Sequence, residues 1–310
     1  MCSIIVVDYR SIEKTLEYVQ HAKEQIENIE DLHIVIVDNA EDSDALDILQ
    51  EKYDIKKKIY CEAIEDCVYI FDVSRGDIVY YSSGKNLGYA IGNNIGTQIA
   101  DELYADSYYL ISNNDLVLRE KMDWSQFQRI FEENDDIAII GPKIVGRDEK
   151  TQSPHRKLGA FSHLILYYWL KGWPFYWRAD HDYDGQSKRC YRVMGCFMVV
   201  KAEAFRKVGR FDSNTFMFAE EMILSELLKR QGYSYYFYDE YTVLHDHGAS
   251  VKKAMSVLRG YEKAFESICY YYVQYRNTPA IVIGLAKVNF SIYKSMLWLK
   301  EKIKEFIKHE

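Results

Sequence analysis

Two groups of polar side chains have the types and spacing to do chemistry. Asn113-Asn114-Asp115 ends a short apolar run, and a carboxylate beside amide oxygens can hold a hard divalent cation, which in turn can hold a diphosphate. Glu220-Glu221 follows an aromatic stretch and offers a carboxylate that could accept a proton from a nucleophile. Each group also has a structural explanation, since Asn and Asp are common in turns and paired glutamates favour the first turn of a helix.

Apolar runs that end in polar residues predict the strands that must position these groups. Tyr108 to Ile111 precedes the Asn-Asn-Asp group, while Ser3 to Val7 and His33 to Val37 flank a helix predicted to continue to about Ile29. Such a β-α-β opening favours a parallel sheet in an α/β fold, whose ligands bind at the carboxyl ends of the strands. Asp38 ends the second of these strands, where it could accept hydrogen bonds from a ribose or a base, or cap the next helix.

A segment rich in glycine and asparagine leads into a helix predicted over Asn93 to Leu103. Glycine allows a backbone to approach a ligand closely, so Asn86, Gly88 and Asn93 in this segment are candidates for ligand contact. The chain has no GxGxxG after the first strand and no GxxxxGK[ST], so the dinucleotide-binding turn and the P-loop are both missing.

Composition and charge narrow the classes of partner and compartment. With 39 basic and 47 acidic residues the net charge is −8, which argues against nucleic acid as the main partner. The 27 tyrosines suit sugars or interfaces, because tyrosine offers an apolar face and a hydroxyl together. The six cysteines lack zinc-like spacing and predict reduced thiols in a cytoplasmic protein. We see no signal peptide and no uninterrupted apolar run of the ~18 residues that a transmembrane helix needs.

The order of the motifs resembles family 2 glycosyltransferases with the GT-A fold, in a bacterial rhamnosyltransferase-like branch. The resemblance rests on VVDYR, VDNAEDSD, NLGYAIGNNIG and SNNDLVL, then on VMGCFMVV, FMFAEE, HDHGAS and RN, over about residues 1–280. It implies a Rossmann-like, mostly parallel sheet flanked by helices, with a C-terminal helical extension. Residues 1–118 would form the nucleotide-sugar-binding half, residues 119–250 the acceptor-binding and catalytic half of the same domain, and residues 251–310 the helical segment.

The resemblance also implies roles for individual residues. Glu221 would be the catalytic base, and Glu220 would orient the acceptor or a loop. Mg²⁺ or Mn²⁺ would be the cofactor, with Asp115, Asn113 and His245 as its ligands. The nucleotide sugar would contact Tyr9, Asp38, Asn86, Gly88, Asn93, Asn114 and Arg276. For Arg276 the alternative role is to lock the C-terminal helix onto the core.

Several positions depart from the family pattern. Asn113 replaces an Asp of the metal motif, which removes one charge from the metal site. Glu221 replaces an Asp, so that the base is one methylene longer. A further Asp two positions on is Ile223, and a later Arg on the same helix is replaced by Glu226 or Leu227.

These features predict an inverting, metal-dependent glycosyltransferase of cell-surface polysaccharide synthesis. The donor would be dTDP-rhamnose or a UDP-hexose, and the acceptor a saccharide or a polyprenyl-linked saccharide. Transfer requires neutralisation of the leaving diphosphate, a base for the acceptor hydroxyl and a fixed donor. The alternative is a non-catalytic homologue that binds nucleotide sugar or scaffolds a partner enzyme. A nucleotidyltransferase would need a glycine-rich first loop, which Asp8-Tyr9-Arg10-Ser11 does not supply.

Two segments concern the surroundings of the acceptor. The aromatic stretch His163 to Trp177 could stack on sugars, enter a lipid headgroup layer, or form a buried helix and loop. Ala280 to Glu310 predicts a helix with a basic end, which could lie on an anionic membrane, pair with another subunit or cover the core. The expected location is the cytoplasm, with peripheral contact at the inner face of the membrane and a homo-oligomer as open alternatives.

Overall fold

One eleven-stranded sheet runs through the residues that the computed structural model describes, which are 1–73, 76–170, 173, 180–246 and 257–308. The strands are β1 (Cys2–Asp8), β2 (Ile26–Glu27), β3 (Leu32–Asp38), β4 (Ile55–Cys61), β5 (Asp66–Phe71), β6 (Ile78–Ser82), β7 (Tyr108–Ser112), β8 (Leu116–Leu118), β9 (Met122–Asp123), β10 (Ile137–Val145), β11 (Lys188–Cys190), β12 (Phe197–Lys201) and β13 (Ser234–His245). Their order across the sheet is β11-β13-β10-β12-β7-β1-β3-β6-β5-β4, with β8 paired to β13. β2 and β9 form a separate pair.

The centre of the sheet is parallel, and its flanks contain antiparallel pairs together with one parallel pair, β10 and β13. β7, β1, β3 and β6 run parallel, as the β-α-β opening predicts. β12 lies antiparallel between β7 and β10, and β4 and β5 add antiparallel pairs at one edge. The sheet is therefore mixed rather than mostly parallel. The strand order reverses at β1, so the switch point where ligands bind in open α/β sheets lies between β1 and β7.

Helices cover the sheet and extend the chain beyond it. They are α1 (Ile12–Gln25), α2 (Ala45–Lys52), α3 (Gly88–Tyr104), α4 (Trp124–Glu133), α5 (Tyr167–Leu170), α6 (Ala202–Lys207), α7 (Glu220–Arg230), α8 (Val257–Gln274) and α9 (Ala280–Lys308), with a 3-10 turn at Glu62–Ile64 and a π-helical turn at Ser162–Leu166. Alternate strand residues point to opposite faces and form two apolar cores. A third apolar cluster joins α8 and α9 to α5 and α7.

Two helix bounds differ from those predicted. α1 ends at Gln25 rather than near Ile29, because the next two residues pair with β9 as a short strand. α3 begins at Gly88 rather than Asn93. The amide of Gly88 donates to the Asn86 side chain at 3.0 Å, and the following amide donates to a backbone carbonyl of the loop before α7. These acceptors satisfy amides that lack a partner inside the helix, so the helix starts earlier.

Candidate active site

Asp115 and His245 meet where β8 runs beside β13. Asp115 directly precedes β8, and β8 pairs with β13 so that Leu116 lies opposite His245. The amide of Asp246 donates to the carbonyl of Asp115 at 2.9 Å, which holds the two segments together. Both side chains are buried, and Nε2 of His245 lies 3.5 Å from Oδ1 of Asp115. Two of the three predicted metal ligands are therefore neighbours.

The Asp115 oxygen that faces His245 is suited to a cation. Among the described residues, Oδ1 of Asp115 is buried and accepts no hydrogen bond. Two ligands of one Mg²⁺ at about 2.1 Å from the ion lie roughly 3–4 Å apart, which the observed separation matches. Burial raises the pKa of Asp115, but His245 and Lys14 outweigh that effect, so the pKa lies below its ordinary value. The carboxyl is thus ionised at neutral pH, and the donor set fits a divalent cation.

Gln152 fixes the orientation of His245. Oε1 of Gln152 lies 3.1 Å from Nδ1 of His245, so the imidazole can donate there and turn its other nitrogen towards Asp115. An acceptor on the far nitrogen is the usual support of a metal-binding histidine. The sequence analysis missed Gln152, because it lies far from His245 in the chain and no local pattern marks it.

Asn113 lies at the end of β7 and is half-buried. Its backbone amide donates to the carbonyl of Cys196 at 2.9 Å, which ties the end of β7 to the start of β12. The side chain of Asn113 is two residues from Asp115, and its role as a metal ligand stays a prediction.

Asn114 belongs to a buried network at the carboxyl ends of β1 and β7. Its side-chain amide donates to Ser11 Oγ at 2.9 Å and to Thr15 Oγ1 at 2.6 Å. Ser11 and Thr15 in turn donate to the carboxylate of Asp8. Asn114 therefore fixes the switch point from inside, and its contact with a ligand stays a prediction.

A cavity of about 330 Å³ opens beside this network. It is lined by residues 8–14, residues 43–45 and Ile48, and so lies beyond the carboxyl ends of β1 and β3. Tyr9, a predicted nucleotide-sugar contact, is one of its lining residues. The volume is at the lower end of the range for small-molecule sites, and the location is that of ligands in open α/β folds.

Asp38 ends β3 in register with Asp8 of β1. Its side chain is buried and accepts hydrogen bonds from the hydroxyl of Tyr80 at 2.8 Å and the amide of Ala40 at 3.0 Å. Burial raises the pKa of Asp38 above its ordinary value. The structure thus gives Asp38 a role in shaping the loop, while contact with a ribose or base stays a prediction.

The glycine-rich segment approaches protein where the sequence predicted a ligand. A Cβ atom at Gly88 would lie 2.1 Å from the carbonyl oxygen of Phe216, and Gly88 has φ +81°. Asn93 is buried and donates to the carbonyl of Tyr89 in its own helix. The side chain of Asn86 accepts from the first amide of α3, that of Gly88. The close approach is therefore made by the loop before α7, and ligand contacts of Asn86, Gly88 and Asn93 stay predictions.

The loop that leads into Glu220-Glu221 has a strained backbone. Phe218 has φ +75° and Ala219 has φ +70°, in the left-handed region that side chains with a Cβ disfavour. Such residues cost of order 1–3 kcal/mol each and persist where the surrounding structure enforces them, most often at functional sites. If Glu220-Glu221 served only to stabilise the first turn of the helix, the backbone before them would not have to be strained.

The two glutamates have different environments. Glu220 is 3% exposed, and burial together with the charge of Glu221 raises the pKa of Glu220 to about 8. Glu221 is half-buried, and its Oε1 accepts a hydrogen bond from the amide of Gly195 at 2.9 Å. Since Glu220 keeps its proton at neutral pH, Glu221 is the better placed of the two to accept one. Its role as a base stays a prediction.

Gly195-Cys196, just before β12, joins the two predicted halves of the site. The carbonyl of Cys196 accepts from the amide of Asn113, and the amide of Gly195 donates to Glu221. Burial and the charges of Asp115 and Glu221 raise the pKa of the Cys196 thiol well above its ordinary value. The metal-binding candidates and the glutamate pair therefore lie around the same two residues.

Arg276 makes its contacts with protein groups. Its Nη1 donates to the hydroxyl of Tyr271 at 2.8 Å and lies 3.8 Å from the carboxylate of Glu226. Lys157 pairs with the same carboxylate at 2.6 Å. These contacts join the end of α8 to α7, which corresponds to the locking role, and contact with a diphosphate stays a prediction.

A second group of potential metal ligands lies in the segment predicted to bind the acceptor. His155, Asp180 and His181 place ligand atoms within 4.8 Å of one another. Burial and the charge of Arg192 lower the pKa of His155 to about 4, so its imidazole is neutral. The guanidinium of Arg192 also lies 4.0 Å from Asp180. Because Arg192 already places a positive charge at that carboxylate, Asp115 and His245 form the better cation site.

Comparison with known proteins identifies the fold. No family model matches the chain. A solved structure of GalNAc-T7 with UDP, GalNAc and Mn²⁺ superposes over the whole chain with a TM-score of 0.51, at 14% identity and over 57% of that protein. The fold is GT-A. The hexosyltransferase Agl10 of low-salt glycan biosynthesis in Haloferax volcanii is 26% identical over 208 residues, which are 66% of this chain and 64% of Agl10.

The GT-A fold confirms the predicted α/β class with helices around the sheet and a C-terminal helical extension. The chain matches less than two thirds of the length of either protein. Agl10 is a hexosyltransferase by name, in agreement with the glycosyltransferase resemblance stated from the sequence. Neither similar protein carries the family 2 or rhamnosyltransferase-like assignment, which stays a prediction.

Proposed function

We propose that this chain is an inverting glycosyltransferase that moves a sugar from a nucleoside diphosphate to a hydroxyl group of a saccharide or lipid-linked saccharide. The observation that carries the proposal is the arrangement around Gly195-Cys196, with Asp115 and His245 near one side and Glu221 bonded to the other. The names of the similar proteins support the reaction class, since one is a hexosyltransferase and the other was solved with UDP and GalNAc.

Asp115, His245 and Asn113 would hold Mg²⁺ or Mn²⁺. The buried Oδ1 of Asp115 and the imidazole that Gln152 orients supply the donor atoms. When bound, the cation would neutralise negative charge that develops on the leaving diphosphate. Lys14 acts on Asp115 through its charge and adds to the positive potential at this end of the sheet.

Glu221 would accept the proton of the acceptor hydroxyl while the hydroxyl oxygen attacks the anomeric carbon. One carbon–oxygen bond forms as the bond to the diphosphate breaks, so a single displacement inverts the anomeric centre. The amide of Gly195 fixes the carboxylate of Glu221, which a base needs in order to meet the hydroxyl in a productive geometry. Glu220 stays protonated beside it and can donate a hydrogen bond to the acceptor or to the loop.

The donor in this proposal is dTDP-rhamnose or a UDP-hexose, bound from the cavity beside Tyr9 towards Asp115. The product belongs to a cell-surface polysaccharide, made in the cytoplasm at the inner face of the membrane. The name of Agl10 supports a role in glycan synthesis. Agl10 comes from an archaeon, so it does not bear on the bacterial origin that the sequence suggested.

A donor screen followed by a transfer assay tests the proposal. Nucleotide sugars would be ranked by thermal shift with and without Mn²⁺, because a bound donor raises the apparent stability. Release of the nucleoside diphosphate from the best donor should then require Mg²⁺ or Mn²⁺ and disappear in both Asp115→Ala and Glu221→Gln. Only Asp115→Ala should lose the metal-dependent shift. If the donor binds but neither substitution changes any measured property, the chain is instead a non-catalytic protein that binds nucleotide sugar.

A further inference from the structure

α9 has apolar side chains on two opposite faces. One face packs in the third apolar cluster, where Ile283, Ala286, Phe290 and Tyr293 are each at most 8% exposed. The other face carries six large apolar residues spaced three or four positions apart, with exposures from 37% to 73%. They are Ile281, Leu285, Val288, Ile292, Met296 and Leu299, and we call them the outer stripe.

The outer stripe is continuous along the helix. With 3.6 residues per turn, its six members fall within an arc of roughly 80° that points away from the buried face. From first to last it spans about 27 Å. A continuous apolar surface of this kind is unusual on a soluble monomer and marks a site of interaction.

An exposed indole ring lies at the margin of the outer stripe. Trp169 of α5 is 41% exposed, and its Nε1 donates to the side chain of Asn289 at 2.9 Å. Asn289 lies on α9 between Leu285 and Ile292, so Trp169 sits directly beside the stripe. Trp298 is exposed at the other end of the same segment. Tryptophan is enriched where proteins meet the membrane interface, because its ring is apolar and its N–H is polar.

The charge of this segment matches an anionic partner. Residues 280–299 contain Lys287 and Lys294 and no acidic residue. Residues 280–310 contain six lysines and three glutamates, a net charge of 6 − 3 = +3, in a chain whose net charge is −8. A helix with an exposed apolar face in a segment of net positive charge favours the surface of anionic lipids.

We propose that the outer stripe binds the surface of an anionic lipid bilayer, with α9 lying in the plane of the interface. Residues Ala280–Leu299 are long and apolar enough to cross a membrane, with a mean hydropathy of 1.3. Crossing would, however, pull Phe290 away from Phe265, whose rings stack at 4.2 Å in the third cluster. A second copy of the chain fits less well, because pairing two stripes would bring together two segments that each carry a net charge of +3.

Vesicle flotation with a stripe variant and a matched control tests this binding mode. The probes are vesicles of phosphatidylcholine alone and vesicles of equal parts phosphatidylcholine and phosphatidylglycerol. The wild-type chain should float with the anionic vesicles and lose binding as salt rises. Leu285→Glu/Ile292→Glu should weaken binding by about tenfold or more per residue, from the apolar surface no longer buried. Ser291→Glu adds one negative charge on the same helix, at an exposed position outside the stripe, and should bind far better than Ile292→Glu alone, which adds the same charge within the stripe.

Three results would overturn the proposal: no flotation of the wild-type chain, equal binding of the stripe variant, or equal loss in Ser291→Glu. Sedimentation equilibrium tests the alternative that the stripe binds a second copy of the chain. A wild-type dimer that dissociates in the stripe variant would support that alternative. The substituted side chains are exposed, so circular dichroism and melting temperature should match wild type. Both variants should also retain release of the nucleoside diphosphate in solution, so that a failure of this inference can be distinguished from a failure of the proposed transfer reaction.

Discussion

A methyl group at position 195 tests whether the placement of Glu221 controls transfer. A Cβ atom built on Gly195 would lie 2.3 Å from Oε1 of Glu221. Ordinary contact between these atoms needs roughly 3.4 Å, so in Gly195→Ala the carboxylate must move by about 1 Å. The move also breaks the hydrogen bond from the Gly195 amide. A displacement of about 1 Å in a reacting group can cost about 100-fold in rate, and we expect that loss in kcat.

The assay measures the initial rate at which the nucleoside diphosphate is released with saturating donor and acceptor. Donor binding is measured in parallel by thermal shift. Gly195→Ala should lower kcat and leave donor binding intact, because Asp115 and His245 are not displaced by the methyl group. Gly159→Ala is the matched control, since a Cβ there meets no atom within 4 Å. A folded Gly195→Ala protein with the kcat of wild type would refute the assignment of Glu221 as a positioned base.

The other predictions concern Glu220, Gln152 and Arg276. The pKa of Glu220 is about 8 in the folded protein, against an ordinary value of about 4.5. Its neutral form therefore stabilises the fold at low pH, and that contribution is lost as the pH rises from about 4.5 to 8. Glu220→Gln should flatten this fall in melting temperature with pH. Gln152→Ala should weaken Mn²⁺ binding by about 10–100-fold in calorimetry, because His245 loses its orienting acceptor. Arg276→Met should lower the free energy of unfolding in urea by about 1–3 kcal/mol, because Glu226 and Tyr271 lose a buried partner.

Each of these three predictions has a result that contradicts it. For Glu220 it is an unchanged pH profile of stability in the glutamine variant. For Gln152 it is wild-type Mn²⁺ affinity in a folded alanine variant. For Arg276 it is unchanged stability combined with weaker donor binding, which would assign the guanidinium to the diphosphate instead.

The strands and their polar ends could be predicted from sequence, because both depend on local patterns. The apolar run before Asn113 has the length and composition of a buried strand, and the structure has β7 there. The apolar run alone is enough to predict that Asp115 lies near the end of a strand. Its meeting with His245 depends on pairing between β8 and β13, which no local pattern specifies. The sequence indicated that Asp115 and His245 belong to one site only through the family resemblance, which rests on the order of the motifs.

Gln152 and Gly195 illustrate what the sequence could not supply. Gln152 supports His245 from a segment that has no regular structure, and its type and neighbours carry no signal of that role. Gly195 was visible only as part of VMGCFMVV. Its importance lies in the space that its missing side chain leaves for Glu221, which becomes apparent once α7 and β12 are placed together. The same holds for Gly88, where the neighbour that requires a glycine is protein backbone.

Glu226 shows why a departure from a family pattern has to be judged in three dimensions. Family 2 glycosyltransferases, which the sequence resembles, carry an arginine on this helix where this chain has Glu226 or Leu227, and a buried glutamate would be costly alone. Here Lys157 and Arg276, from two distant segments, approach its carboxylate, and Tyr191 donates to it at 2.9 Å. Burial raises the pKa of Glu226, but these partners outweigh it and keep the group ionised. The negative charge of Glu226 on α7 is balanced by Lys157 and Arg276, which lie before and after this helix in the chain. The helix that begins with Glu220-Glu221 is therefore stabilised by residues on both sides of it.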